Sequence, residues 1–233
     1  MGQGLRIGGS GLRYSVDPMV MSDVPRVVEI EKLAYTTPWP PSAYRREIQE
    51  NRMARYIVVR DTWMTPSVAT PPAEESKRPF PLSLLVGRQP TLIPPEAQNI
   101  IAFAGMWSMI GEAHITTIAV HPDYRGRGIG ELMLSSLIGS AYALRARVVT
   151  LEVRVTNSVA QSLYRKYGFY QTRIQPRYYS DNHEDAYLMS TPDITTEMYR
   201  ERFADLRARI IARLERENAP EGACDGREDA SGH

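Results

Sequence analysis

Ile115-Thr116-Thr117-Ile118-Ala119-Val120-His121-Pro122-Asp123-Tyr124-Arg125-Gly126-Arg127-Gly128-Ile129-Gly130 is the stretch on which the fold is decided. Its first part ends in an apolar, partly β-branched run and reads as a strand. Its last part opens a helix in which Ile129, Met133, Leu137 and Ala141 recur at fourfold spacing. A glycine-bearing turn joins the two. Such a turn leaves backbone N–H groups unpaired, and the helix N-terminus adds a partial positive charge, so the place suits a pyrophosphate. Gly128 and Gly130 permit a close backbone approach that a β-carbon would obstruct. Arg125 and Arg127 can add charge-assisted contacts to phosphate. Two other phosphate loops do not fit. The dinucleotide fingerprint requires a third glycine that does not follow Gly126 and Gly128 at the right spacing. The P-loop requires a Gly-Lys-Ser/Thr that is absent. A purely structural glycine turn stays open on these residues alone.

Outward from this stretch, regular segments continue on both sides. Ile100 to Met109 and His114 to Val120 read as adjacent strands joined at Gly111, and Val148 to Val155 as a further strand. Asn157 begins a short helix through Lys166, and Phe169 to Ile174 and Ala186 to Met189 read as closing strands. Upstream, Tyr56 to Val59 reads as a strand. Val24, Val27, Val28 and Ile30 give Asp17 to Leu33 a helical pattern after a cap at Ser22 or Asp23. Pro38, Pro40 and Pro41 break the chain around Trp39, and a second helix, Ser42 to Glu50, is expected with Ser42 as its cap. Near the end, Met198, Phe203, Leu206, Ile210 and Leu214 trace an apolar stripe on a helix over 195–218, expected to pack on the domain or on a second copy. Thr65 to Gln98 holds eight prolines, a density that removes amide donors and fixes backbone angles, so neither helix nor central strand is expected there. Residues 62–99 therefore read as a proline-rich surface insertion, 1–13 as a flexible leader and 219–233 as a polar, disordered tail.

Composition narrows the function. The chain has 233 residues, 42% apolar and 24% charged, enough for one domain with a full core. A net charge of +1 gives no support to nucleic acid as the principal partner. No run approaches the ~18 apolar residues of a membrane span, and the N-terminus lacks a secretory core, so no membrane partner and a cytoplasmic location are expected. Cys224 is the only cysteine, which excludes a disulfide framework and a multi-cysteine metal site. His114, His121 and His183 fit no zinc spacing and read as ordinary surface or turn histidines. No metal is expected.

The order Arg-x-x-Gly-x-Gly over Arg125–Gly130, after Ile118-Ala119-Val120, resembles the coenzyme A site of the Gcn5-related N-acetyltransferase (GNAT) superfamily. Leu151-Glu152-Val153-Arg154-Val155-Thr156-Asn157, followed by Ala160-x-x-Leu163-Tyr164-x-x-x-Gly168-Phe169, resembles its second half. The spacing is similar to that of the RimI-type ribosomal-protein alanine N-acetyltransferases, as are Pro38-Trp39, Arg177-Tyr178-Tyr179 and Glu184-Asp185-Ala186. The resemblance covers roughly residues 14–191, interrupted by the insertion. It implies a mixed α/β fold: a twisted, mostly antiparallel sheet flanked by helices, with a splayed central strand pair. It further implies acetyl-CoA as co-substrate, with pantetheine meeting the backbone of Ile118, Ala119 and Val120. The pyrophosphate would lie on Arg125, Gly126, Arg127, Gly128, Ile129 and Gly130, and Asn157 would contact the coenzyme. The implied acceptor is a protein N-terminus, such as that of a ribosomal protein.

Acetyl transfer to an amine moves two protons: the ammonium must lose one, and the departing thiolate is helped by gaining one. Alternation along Val148–Val155 puts Thr150, Glu152 and Arg154 on one face, and Glu152 matches the general base of the RimI-type enzymes; a solvent-facing strand carboxylate is the competing reading. Tyr164 matches the tyrosine that protonates the coenzyme sulfur, a phenol of ordinary pKa ~10; a buried packing tyrosine competes. Trp39, Tyr178 and Tyr179 read as lining for the peptide entrance or as aromatic packing. A small-molecule amine acetyltransferase and a non-catalytic coenzyme-binding module remain the alternative functions.

Overall fold

The computed structural model describes residues 13–64 and 93–217. The expectations for the leader before Arg13, for residues 65–92 of the insertion and for the tail at 219–233 lie outside the described residues. The elements run β1 (Tyr14–Pro18), α1 (Val24–Ala34), α2 (Pro41–Gln49), β2 (Ala54–Asp61), β3 (Ile100–Met109), β4 (Glu112–Val120), α3 (Ile129–Ala143), β5 (Val148–Arg154), α4 (Ser158–Lys166), β6 (Tyr170–Gln175), β7 (Ala186–Ser190) and α5 (Glu197–Glu217). Seven strands form one sheet in the order β1-β2-β3-β4-β5-β7-β6. Every pair is antiparallel except β4–β5, the mixed, mostly antiparallel architecture that the family resemblance implies.

Helices cover both faces of the sheet. On one side Val24, Val27, Val28 and Ile30 of α1 and Tyr44 of α2 pack against Val58, Phe103 and Ala119. On the other, Ile129, Met133, Leu137 and Ala141 of α3 pack with Ala102, Ala104, Met106, Ile115 and Leu151. Leu132, Leu134 and Ile138 of α3 are buried too, because α5 lies against α3 and contributes Phe203, Ile210 and Leu214 to the same core. The stripe on α5 thus packs on its own domain. Its first turn differs from expectation. Met198 is 79% exposed, and Tyr199 is buried in its stead, its hydroxyl donating to the Tyr167 carbonyl at 2.8 Å.

Three upstream expectations change. Asp17 and Pro18, read as the start of a helical stretch, instead end an edge strand, Tyr14–Pro18; Tyr14 and Val16 point inward while the five residues pair with Ile57–Asp61. Asp23 occupies the N-cap position of α1, but its carboxylate accepts from the Val20 amide and from Arg60 rather than from the helix. α2 starts at Pro41, with Ser42 already inside it; the proline ring has φ preset for a first helical turn and gives up no needed donor. At the downstream end of the insertion, Pro95–Ala97 forms one 3₁₀ turn that buries Ala97 completely, again with proline where its missing N–H costs nothing.

Gly128, the N-cap of α3, has φ +78°, and a β-carbon built on it would lie 3.0 Å from Ile210 Cδ1. Gly126 also has φ +78° but faces no atom within 4 Å. A side chain in this left-handed region costs roughly 1–2 kcal/mol. Gly126→Ala should show that loss alone in denaturant unfolding. Gly128→Ala should lose about 1–3 kcal/mol more, because Ile210 must move in a packed core. Equal losses at the two positions would mean that α5 does not press on the turn.

Candidate active site

The site begins where two central strands part. β4 pairs with β5 only over Glu112–Ile115 against Val148–Leu151, although both strands run on. At the same point the β3–β4 register slips: Met106 faces Ile115 and Gly105 faces Thr117, so Thr116 is an extra residue on β4. A bulge of this kind bends the strand that carries it. A cleft of about 650 Å³ opens beyond the fork. Ile115–Val120 and Leu151–Arg154 form its two walls, α1 closes one side with Ala34 and Tyr35, and α4 closes another with Ala160, Leu163 and Tyr164.

At the far end of β4, Ile118, Ala119 and Val120 line the cleft. The Ile118 carbonyl accepts from the Tyr35 hydroxyl at 3.0 Å and the Val120 carbonyl from Arg125 Nε at 3.3 Å; each keeps a second lone pair for a ligand. The turn that follows starts with a 3₁₀ turn, Pro122–Tyr124, capped by His121, whose Nδ1 accepts from the Asp123 amide. Among the described residues the amides from Gly126 to Glu131 have no hydrogen-bond acceptor, as a site for an anion requires. Arg125 and Gly130 line the cleft. Arg127 does not: its guanidinium donates back to the Asp123 carbonyl at 2.9 Å and lies 4.9 Å from the centre of the Tyr124 ring. The Ile129 side chain is buried in the core, which leaves only its amide for a ligand. Asn157 lines the cleft while its side chain caps α4, accepting from the Ala160 amide at 3.1 Å. An open strand edge, a row of free amides and one arginine fit an extended thioester carrying a pyrophosphate.

Glu152 and Tyr164 both line this cleft. Glu152 stands one residue beyond the last β4–β5 pair. Its Oε2 lies 3.0 Å from His114 Nε2, and its Oε1 accepts from Gln175 Nε2 at 3.5 Å. The Tyr164 ring lies against Phe169, and among the described residues its hydroxyl has no hydrogen-bond partner. Burial raises the Tyr164 phenol above its ordinary value, so it stays protonated well past neutral pH. Burial likewise pushes Tyr35 up to about 12 and raises Tyr178 and Tyr179.

Tyr178 and Tyr179 line the cleft, with ring centres 5.1 Å apart. The loop that bears them is held by Arg154, which reaches Asp181 at 2.8 Å and Glu184 at 3.0 Å and lies 3.8 Å from the Tyr179 ring centre. Asp181 also accepts from the Thr36 hydroxyl, which ties the loop to the end of α1. Hydrogen bonds from Thr156 hold the Glu184 carboxyl down to about 2. Trp39 is not in the cleft wall: its ring packs on Tyr44 and its amide donates to the buried Glu31. The reading of His114 also changes. It is not an ordinary surface histidine but stands beside Glu152, with Nδ1 2.8 Å from Thr150 Oγ1. Tyr35 and His114 were not legible as site residues, because only the β4–β5 register and the α1 crossing bring them in.

Known proteins are similar to this chain in sequence and in fold. Residues 24–169 match the model of the acetyltransferase (GNAT) family. A Bacillus subtilis (strain 168) protein, provisionally named a ribosomal protein bS18-alanine N-acetyltransferase, is 30% identical over 177 residues, covering 76% of this chain and 94% of that relative. The N-alpha-acetyltransferase RimI of Mycobacterium tuberculosis (strain ATCC 25618 / H37Rv) is 29% identical over 182 residues, covering 75% and 90%. In fold, the crystal structure of the Escherichia coli ribosomal-protein-S18-alanine N-acetyltransferase superposes with a TM-score of 0.58 at 23% identity, covering 79% of this chain and 97% of that one. The chain belongs to the acetyltransferase (GNAT) family and is an acetyl-CoA-dependent N-acetyltransferase.

Proposed function

We propose that the chain acetylates the N-terminal α-amine of a protein, a ribosomal protein such as bS18 being the leading acceptor, in the cytoplasm. The observation that carries this reading is the shared cleft: Glu152, Tyr164 and the Tyr178–Tyr179 wall meet beyond the fork between β4 and β5. The relatives named for acetylating bS18 alanine support the choice of acceptor.

Acetyl-CoA supplies the thioester. Amides from Gly126 to Gly130, with Arg125, hold the pyrophosphate; Ile118, Ala119 and Val120 hold the pantetheine; and Asn157 meets the coenzyme at the start of α4. An α-amine titrates near pH ~8, so the base has one moderately acidic proton to remove. Glu152 takes it through Oε1, directly or by way of a water. Tyr164 gives its proton to the departing sulfur. Tyr178 and Tyr179 flank the entering chain. Trp39, which lies off the cleft wall, acts through the α1–α2 corner that Glu31 ties together.

Glu152→Gln should lower kcat by roughly 10²–10⁴-fold while calorimetry still detects acetyl-CoA binding; wild-type turnover at saturating acetyl-CoA would remove Glu152 from the mechanism. Because burial keeps the Tyr164 phenol protonated, Tyr164→Phe should slow transfer by the same factor throughout pH 6–9. A defect that shrinks as pH approaches 9 would mean a phenol that ionises within that range. Mass spectrometry of cellular protein N-termini, with and without this chain, should lose an acetyl group on an alanine-starting ribosomal protein. Faster turnover of free polyamines or amino acids than of a short Ala-starting peptide would overturn the acceptor.

A further inference from the structure

Four side chains alternate across the paired stretch of β4 and β5 and one residue beyond it. Glu112 and His114 project from one strand, Thr150 and Glu152 from its parallel neighbour, and His114 lies in register with Thr150. They are joined end to end. Thr150 Oγ1 donates to Glu112 Oε1 at 2.5 Å, His114 Nδ1 stands 2.8 Å from Thr150 Oγ1, and His114 Nε2 stands 3.0 Å from Glu152 Oε2. Proton accounting fixes their roles. The single hydroxyl proton of Thr150 goes to Glu112, so Thr150 must accept from Nδ1–H of the ring. With Glu152 ionised, Nε2 must carry a proton as well. The ring is then an imidazolium between two carboxylates, in agreement with a His114 pKa raised first by the hydrogen bond to Glu152.

We infer that His114 is a positioning residue for acetyl transfer: it clamps Glu152 Oε2 and leaves Oε1 turned to the acceptor amine, while Thr150 and Glu112 fix the ring. The inference rests on the reading of Glu152 as the base. Gln175 touches Oε1 only at 3.5 Å, so the clamp on Oε2 is the closer of the two contacts. The charged groups bearing on the ring are Glu152 and Glu112. Tyr178 and Tyr179 face Glu152 from the loop before β7, both held protonated by burial.

The sign follows from the raised value. The clamp is complete below the ordinary histidine pKa of ~6.5 and is lost as pH rises through the higher folded value. Neutral His114 keeping its proton on Nδ1 turns a lone pair toward Glu152.

The test compares His114→Ala, His114→Gln and Thr150→Val with wild type and Glu152→Gln, following kcat against pH at saturating substrates, acetyl-CoA affinity and an NMR titration of the ring. His114→Ala should lose roughly 10–100-fold in kcat with acetyl-CoA affinity unchanged. His114→Gln, whose amide nitrogen can reach the position of Nε2, should recover most of kcat near pH 7. It should also lose the alkaline inflection of the wild type. The ring should titrate above its ordinary value in wild type and lower in Glu152→Gln and Thr150→Val. A His114→Ala enzyme with wild-type kcat and a coincident pH profile would overturn the inference, as would a His114→Gln enzyme no better than His114→Ala. If Glu152→Gln is inactive in the same series, the base assignment survives that failure; if Glu152→Gln is fully active, it is the base assignment that fails.

Discussion

A sheet that stops pairing in its middle is the constraint on which the site depends. Interior strands of a sheet normally satisfy both edges, because an unpaired backbone polar group away from water costs free energy. Here the extra residue at Thr116 bends β4 just where its ladder with β5 ends. β5 stays attached to β7 through Arg154, and β4 stays attached to β3 through Val120, so neither strand can close the gap without giving up its other partner. The open edge of β4 is therefore built in. A ligand with amide groups of its own can complete it, as an added strand would.

The turn at the end of that edge is held from behind rather than by its ligand side. Gly126 and Gly128 take left-handed backbone conformations that orient successive amides outward, and Ile210 and Leu214 of α5 lie against the back of Gly128. The long C-terminal helix thus does two jobs with one stripe. It seals the outer face of α3, and it leaves the turn no room to collapse toward the core. Charge plays the smaller part. Arg125 reaches the cleft, while Arg127 is occupied by Asp123 and Tyr124, so the proposed grip on a pyrophosphate rests mainly on fixed backbone dipoles.

Local periodicity made most elements legible. The fourfold spacing of α3, the alternation in β5 and the helix start at Asn157 each depend on near neighbours, and the folded chain keeps them. What was not legible depends on groups distant in sequence. Tyr14 and Val16 form too short a pattern to announce a strand, which exists because Ile57–Asp61 offers it an edge. Ser42 has the chemistry of a cap, but the preset φ of Pro41 starts the helix earlier. Met198 and Tyr199 are both large enough for the stripe, and the Tyr167 carbonyl selects the one with a hydroxyl. Glu152, Tyr164, Tyr178, Tyr179 and the strand from Ile118 to Val120 were singled out through the family resemblance, and all of them line the cleft. His114 was not, because a parallel register between β4 and β5 cannot be deduced from either strand alone.

On the proposed mechanism, that register also ties the base to the acceptor wall. Glu152 and Arg154 are two residues apart on the same face of β5. One faces the fork; the other anchors the Tyr178–Tyr179 loop through Asp181 and Glu184, and Thr36 carries the same network to α1. A shift of β5 along its axis would move the base and the wall together. Their spacing is thus set by a strand, the stiffest element available, instead of by two independent loops. The network keeps one negative charge, because its one guanidinium is shared between two carboxylates. On the proposed mechanism, an incoming ammonium passing the aromatic wall meets carboxylates already engaged at the rim, and Oε1 of Glu152 is the oxygen left to receive its proton.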